Sequence, residues 1–352
     1  MAVEKGGQAK GNDVLRIGIC GLGRAGWGMI RQEVKDLPQI RIVAGCDVIK
    51  ERAERLAAAH GAAAYTDFKE FLKDPNIELV VIATRSIDHG PMTIEALKAG
   101  KNVLVEKPMA MNAKQADRMI ATARKCRRLL LVRQNRRFDP SFQQAREIIA
   151  SGKLGPLVLI RLRQHGYQRR NDWQTLKRYG GGLFFNWGPH MVDCGMRLLG
   201  SPAASVWGDL QRVAAVGDAE DHVKVVVKGR NGAVLDFEVS GGVAIRQPEW
   251  QIAGRYGALQ IDNNQCQLRY LDPKAWQKIK AISDTPADGA SFGNPEPLKW
   301  IEEQFPVAPK LKLSFWEEIY KAAKCGAKFP VTLEEARDNV RVMDLARKGT
   351  GF

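Results

Sequence analysis

The feature that most constrains this chain is a short apolar run, Val14 to Cys20, that stops at Gly21-Leu22-Gly23-Arg24-Ala25-Gly26. A helical pattern follows as far as Leu37, before Pro38, so the segment reads as strand, glycine turn, helix. Each glycine has a separate task if a dinucleotide is held there. The first permits the tight turn, the second lets the backbone approach a pyrophosphate, and the third lets the helix pack closely on the strand. The helix start then presents free N–H groups and a partial positive charge to the phosphates. An acid, Asp47, follows the second apolar run 21 residues past Gly26, where it can bind both ribose hydroxyls. Gly21, Gly23, Arg24, Ala25, Gly26 and Asp47 are therefore the candidate cofactor contacts. Asp47 would repel the 2'-phosphate of NADP, so NAD is expected and NADP is the less favoured cofactor.

The rest of the first third repeats the alternation. Arg41 to Cys46, Leu79 to Ala83, Val103 to Val105 and Leu129 to Val132 read as strands. Lys50 to His60, Phe68 to Lys73, Pro91 to Ala99 and Ala113 to Lys125 read as helices between them. Buried strands alternating with helices predict a doubly wound parallel sheet of the Rossmann kind. After about Gln134 the pattern changes. One helix, Ser141 to Ala150, precedes strand candidates at Leu157 to Arg163, Val206 to Val213, His222 to Lys228, Ala233 to Ser240, Glu249 to Ala253 and Ala258 to Asp262. Successive strands predict a mostly antiparallel sheet, so the fold class is α/β followed by α+β. Residues 281–299 read as a surface loop, and Ser314 to Lys324 and Leu333 to Arg347 as closing helices. The expected organisation is a flexible leader over 1–13, an NAD-binding domain over 14–134, and a substrate-binding and oligomerisation domain over 135–352.

Composition narrows the class. No stretch approaches the roughly 18 apolar residues of a membrane span, and Met1 to Lys10 has no signal-peptide core, so a cytoplasmic protein is expected. The six cysteines are far apart with no Cys-x-x-Cys pair, which predicts neither a zinc site nor disulfides, and no metal is expected.

Glu106-Lys107-Pro108 follows a strand at the carboxyl edge of the first sheet, where ligands of such folds bind. A lysine there can hold a substrate hydroxyl and ease its deprotonation. With the glycine turn, Ala83-Thr84 through His89, Ala96-Leu97-Lys98-Ala99-Gly100-Lys101, Arg137-Phe138-Asp139-Pro140, and Gly180-Gly181-Gly182 leading to His190 and Asp193, the chain resembles the Gfo/Idh/MocA oxidoreductase family from Leu15 to about Lys348. The resemblance implies that Lys107 is the catalytic lysine, that its bond to Pro108 is often cis, and that Thr84, Ser86, His89 and Glu106 lie against the cofactor. Most members carry an aspartate four residues before the histidine; here that residue is Asn186, before His190. An amide takes no proton and cannot stabilise an imidazolium by charge, but it can hydrogen-bond a substrate hydroxyl. Pro189 should sit in the first turn of a helix, which makes Asn186 a candidate N-cap as well. Asp193 is expected to pack against the domain interface rather than act as an acid.

Candidate substrate contacts are Arg137, Arg163, His165, Tyr167, Arg169, Trp173 and Asn186. Strand alternation sends Arg161, Arg163, His165 and Tyr167 to one face, and the resemblance implies that this region helps line the pocket. The formal charge is +15, and residues 118–178 hold sixteen basic residues against three acidic ones. The stretch carries no recognised nucleic-acid-binding motif, which argues against nucleic acid as a partner. Its position beside the expected cleft suggests an anionic substrate, a sugar acid or phosphate.

The expected function is an NAD-dependent dehydrogenase acting on a secondary alcohol of a sugar, cyclitol or sugar acid. His190 would remove the hydroxyl proton and Lys107 would orient the oxygen. Two alternatives keep the cofactor: redox-assisted elimination or hydrolysis of a glycoside, and a non-catalytic NAD-binding sensor. The open sheet face, used for assembly across the family, implies a homodimer or homotetramer.

Overall fold

The computed structural model describes residues 14–272, 274, 280, 283 and 298–352. The expected leader, residues 1–13, and most of the expected loop at 281–299 lie outside the described residues.

Six parallel strands form the first sheet: β1 (Leu15–Cys20), β2 (Ile40–Cys46), β3 (Ala63–Tyr65), β4 (Leu79–Ile82), β5 (Asn102–Val105) and β6 (Leu130–Val132), in the order β3-β2-β1-β4-β5-β6. Their near-continuous apolar character follows from burial on both faces: Ile17, Ile19 and all of β4 are solvent-free. Between them run α1 (Arg31–Val34), α2 (Lys50–His60), α3 (Phe68–Lys73), α4 (His89–Lys98) and α5 (Ala113–Cys126). The helix after the glycine turn begins as a π-helical stretch, Arg24–Ile30, that runs directly into α1. Strand order reverses between β1 and β4, which opens a crevice beyond their carboxyl ends.

The second sheet has eight strands: β7 (Leu157–His165), β8 (Ala203–Gln211), β9 (His222–Gly229), β10 (Val234–Ser240), β11 (Trp250–Gly254), β12 (Gly257–Asp262), β13 (Gln265–Leu271) and β14 (Trp300–Pro306), in the order β14-β13-β12-β11-β7-β10-β9-β8. Every neighbouring pair is antiparallel except β7 with β10. Three strands are not apparent in the sequence pattern. β3 is a three-residue edge of alanines and one tyrosine. β13 buries only alternate residues between Gln265, Gln267 and Arg269, and β14 is an edge strand rich in Glu and Gln. Asn263 and Asn264 both have positive φ, the geometry of a two-residue hairpin, and so join β12 to β13. The strand expected at Val206 to Val213 lies at Ala203–Gln211 instead. The amides of Val213, Ala214 and Ala215 are taken by the Asp221 carboxylate, which turns the chain out of the sheet.

α6 (Pro140–Ala150), α7 (Leu183–Asn186) and α8 (Gly188–Leu199) cover one face of this sheet, with Val192 and Leu199 against Leu235 and Phe237. Pro189 does sit in the first turn of α8, but Asn186 is not its cap. It is the last residue of α7, and Trp187 stands at the cap position. The chain ends in α9 (Phe315–Lys324) and α10 (Leu333–Arg347). α9 packs on the first sheet, while α10 contributes Ala336 and Val340 to the first core and Val342, Met343 and Ala346 to the second.

Candidate active site

The glycine turn has the shape of a nucleotide cradle. Gly21 has φ +90, and a Cβ on it would meet the Ala83 carbonyl at 2.5 Å; a Cβ on Gly26 would strike the Gly21 carbonyl. At Gly23 a Cβ would meet no protein atom within 4 Å, so this face is open to a ligand. Asp47 is buried at the end of β2, where Oδ2 accepts from the Leu22 N–H at 2.7 Å and Oδ1 from Ile49 at 2.9 Å. Its carboxylate is thereby fixed beside the turn, with Arg52 at 3.7 Å. Arg24 is exposed and Ala25 half-buried on the same turn. These residues fit NAD: open backbone for the pyrophosphate, and an acid for the ribose hydroxyls.

Thr84 and Ser86 follow β4 at the same sheet edge. His89, buried, sits between their loop and the next one: Nδ1 is 2.8 Å from the Pro108 carbonyl and Nε2 is 3.3 Å from the Thr84 carbonyl. Burial lowers its pKa, so the ring is neutral and donates from one nitrogen, the shorter contact marking Nδ1. His89 therefore ties the loop after β4 to the Lys107–Pro108 peptide, which is cis. Glu106 is buried and accepts from Arg133 at 3.0 Å and from the Lys107 N–H at 3.1 Å. Its carboxylate is occupied by Arg133 Nη1, while Arg133 Nη2 donates to both oxygens of Glu33 on α1.

Lys107 projects from the end of β5 into the cleft, where Nζ donates to the Asn186 carbonyl at 2.9 Å and to Asn186 Oδ1 at 3.3 Å. Burial of the amino group brings it down to about 8; Glu106 opposes this and Arg133, Arg24 and Arg136 assist. Asn186 Nδ2 donates in turn to Gln174 Oε1 at 3.2 Å. His190, at the start of α8, packs edge-on against Trp187, and its Nδ1 is buried without a partner. Burial, then Lys107, Arg136 and Arg133, push its pKa well below the ordinary imidazole value, so it is neutral. Asp193 is one turn further on and does not reach it. Arg137 holds that carboxylate at 2.6 Å, and Asn339 donates to it at 2.7 Å.

Asn186, the partner of Lys107, lines a cavity of about 360 Å³. Gln164, Gln168, Gln174 and Asn186 give it carboxamides, Thr175 and Ser240 hydroxyls, and Trp187, Leu183 and Val239 apolar surface. Its charged residues are Arg24, Arg170, Glu220 and Asp221, and His165 joins the lining.

Several substrate candidates are elsewhere. Arg137 is a buried strut on Asp193, Glu335 and the Pro330 carbonyl. Arg163 faces away from α8 and pairs with Asp236 at 2.7 Å and Gln247 at 3.2 Å. Tyr167 is 61% exposed and bridges to Gly242, Arg169 is exposed, and Trp173 sits in a short turn outside the lining. Of the seven, only His165 and Asn186 reach the cavity. The expectation of an anionic substrate also changes. Arg133, Arg137 and Arg163 are matched by buried or half-buried carboxylates, and Arg124, Lys125, Arg127 and Arg128 are exposed at the amino edge of the sheet, opposite Lys107. From the basic stretch, Arg170 alone lines the cavity, and it pairs with Asp172 at 2.6 Å. The carboxamides and the Glu220-Asp221 pair carry no spacing signal. Glutamines in a charged run look like solvated surface, and an acidic pair before a strand looks like a turn.

Among the described residues no cluster of His, Cys, Asp and Glu could hold a metal ion, and no helix is long and apolar enough to cross a membrane. Residues 15–134 match the model of a family described as an oxidoreductase family with an NAD-binding Rossmann fold, and residues 142–260 match a GFO/IDH/MocA C-terminal domain. The chain is 28% identical over 226 residues to a myo-inositol 2-dehydrogenase of Thermotoga maritima, covering 62% of this chain and 66% of that one. It is 30% identical over 234 residues to an NAD(+) scyllo-inositol 2-dehydrogenase of Bacillus subtilis, covering 64% and 67%. The chain thus spans about two thirds of the length of these relatives. An NAD-binding protein from Listeria innocua superposes with a TM-score of 0.80 at 23% identity, over 96% of this chain and 95% of that one, a likeness of fold.

Proposed function

The chain belongs to the Gfo/Idh/MocA oxidoreductase family, with its NAD-binding Rossmann fold, and on that premise we propose that it oxidises a ring hydroxyl of a neutral polyol, a cyclitol or sugar, with NAD. The observation that carries the proposal is the pair of hydrogen bonds from Lys107 Nζ to Asn186, a residue that lines the carboxamide-rich cavity.

When bound, NAD supplies the hydride acceptor. Lys107 supplies the base. With its pKa near 8, a substantial fraction is neutral amine at mildly alkaline pH. Its two N–H bonds are then held by Asn186 and its lone pair is left for the substrate hydroxyl proton. His190 is too weakly basic to hold that proton well, and as a neutral ring it orients the same oxygen. These roles reverse the ones expected from sequence. The physical cause is the missing acid at 186, which leaves His190 without a counter-charge and Lys107 without a stabiliser for its cation.

The cavity supports the substrate class. Carboxamides and hydroxyls both donate and accept, as polyol hydroxyls require, and Trp187, Leu183 and Val239 add apolar surface for a ring. The volume falls in the range of small-molecule sites. Relatives with inositol dehydrogenase names support the same class.

The test is formation of NADH on a panel of neutral cyclitols and sugars with their acidic counterparts, using wild type, Lys107→Ala and His190→Ala. The neutral compounds should react, Lys107→Ala should abolish NADH formation, His190→Ala should lower it at least a hundredfold, and NAD affinity should hold within about twofold in both. Persistent activity in both variants overturns the site, and preference for the acids overturns the substrate class.

A further inference from the structure

Glu220 plays no part in the mechanism above, yet it is 5% exposed and lines the cavity. Its carboxyl lies across Gly182, whose φ is +108 and where any Cβ would collide with it. Oε1 accepts from the Phe184 N–H at 3.0 Å, and the Glu220 carbonyl accepts from the Leu183 N–H at 3.0 Å. Glu220 thus clasps the segment that ends in Asn186, and the last glycine of the run exists to let it approach.

A buried carboxylate needs a cation or several donors. The charged groups around this one are Arg24 on the glycine turn, His165 at the end of β7, Arg170 and Lys177 in the segment after it, Asp221 next in sequence, and Arg347 on α10. Among the described residues none forms an ion pair with Glu220. Arg170 is held by Asp172, Arg347 lies over the Phe185 ring, and Asp221 is saturated by three loop amides. We propose that Glu220 is a substrate-contacting residue that works as a neutral carboxylic acid, donating a hydrogen bond to a polyol oxygen in the cavity and losing that contact when it ionises. Burial supports this by raising its pKa to about 7. The site then combines a neutral amide at 186 with an acid at 220, at the two ends of one short helix.

The inference rests on reading the cavity as the polyol site, so the test separates the two. Binding of scyllo-inositol and myo-inositol to the enzyme–NADH complex is measured by calorimetry from pH 5.5 to 8.5, where no turnover occurs, for wild type, Glu220→Gln and Glu220→Ala. Wild-type affinity should fall about tenfold across pH 7. Glu220→Gln, a permanent donor, should bind at every pH about as tightly as wild type does at pH 6, and Glu220→Ala should bind weakly throughout. A wild-type affinity that does not change with pH, or a Glu220→Gln curve that follows the wild type, overturns the assignment. Thermal unfolding gives a readout that needs no ligand. A carboxyl with a raised folded-state pKa stabilises below its unfolded value and loses that contribution as pH rises through 7. Wild type should therefore lose Tm between pH 5 and 8 relative to Glu220→Gln. Coincident Tm profiles reject the assignment even if no polyol binds, whereas divergent profiles without polyol binding or oxidation reject only the function.

Discussion

On the proposed mechanism, position 186 sets the basicity of Lys107. An aspartate there would stand within hydrogen-bond distance of Lys107 Nζ, and an opposite charge that close raises an amine pKa by about 1–3 units. For Asn186→Asp the pH midpoint of the NADH-forming rate, expected near 8 in wild type, should therefore move to about 9 or above. At pH 8 the rate should drop about tenfold with little change in polyol affinity. Because the base must be deprotonated, activity rises with pH in both proteins. A midpoint that stays near 8 would remove Lys107 from the role of base. The sequence makes the question visible, since Asn186 stands four residues before His190, but not its answer. Lys107 and Asn186 are 79 residues apart, and only the fold shows that the lysine bonds to the amide while the imidazole does not.

Whole elements are fastened by buried arginines whose partners are remote in sequence. Arg133, just after β6 and 1% exposed, joins Glu106 beside Lys107 to Glu33 on α1, and Trp316 of α9 donates to the same Glu33 at 2.8 Å. One guanidinium thus aligns the cofactor helix, the Lys107 loop and the C-terminal cover. Removing one partner of such a set leaves uncompensated buried charge, so Arg133→Met should destabilise by about 3–5 kcal/mol in urea unfolding. Arg133→Lys, which keeps the charge but not the fork, should recover part of that. A loss below about 0.5 kcal/mol for Arg133→Met would mean that α1 and the Lys107 loop are held by packing alone. Elements with strong periodicity, α2, α10 and β4, are evident from sequence, whereas this clamp looks like one more residue of a basic run. Its meaning lies in acids 27 and 100 positions away, which no local pattern reports.

At the scale of the whole chain the two sheets do not divide the core where composition changes. Phe315, Trp316 and Ile319 on α9 are nearly solvent-free against residues of the first sheet, although they come from the far end of the sequence. Burying each is worth roughly 1.5–3 kcal/mol. Together they rival the 5–15 kcal/mol by which a typical domain is stable. α10 contributes to both cores, so the two halves share a wall. The change of texture near Gln134 marks where the parallel sheet ends, but not where its cover ends, because an amphipathic helix does not announce which face it will meet. A fragment of residues 1–134 should therefore lack cooperative thermal unfolding and gain no Tm on adding NAD. The full chain should unfold in one transition that NAD raises, by about 2.7 kcal/mol at a hundredfold excess over Kd. Calorimetry of both decides it: a fragment that melts sharply, with an NAD-dependent Tm close to that of the full chain, would show the first sheet to be sufficient and α9 to be an accessory.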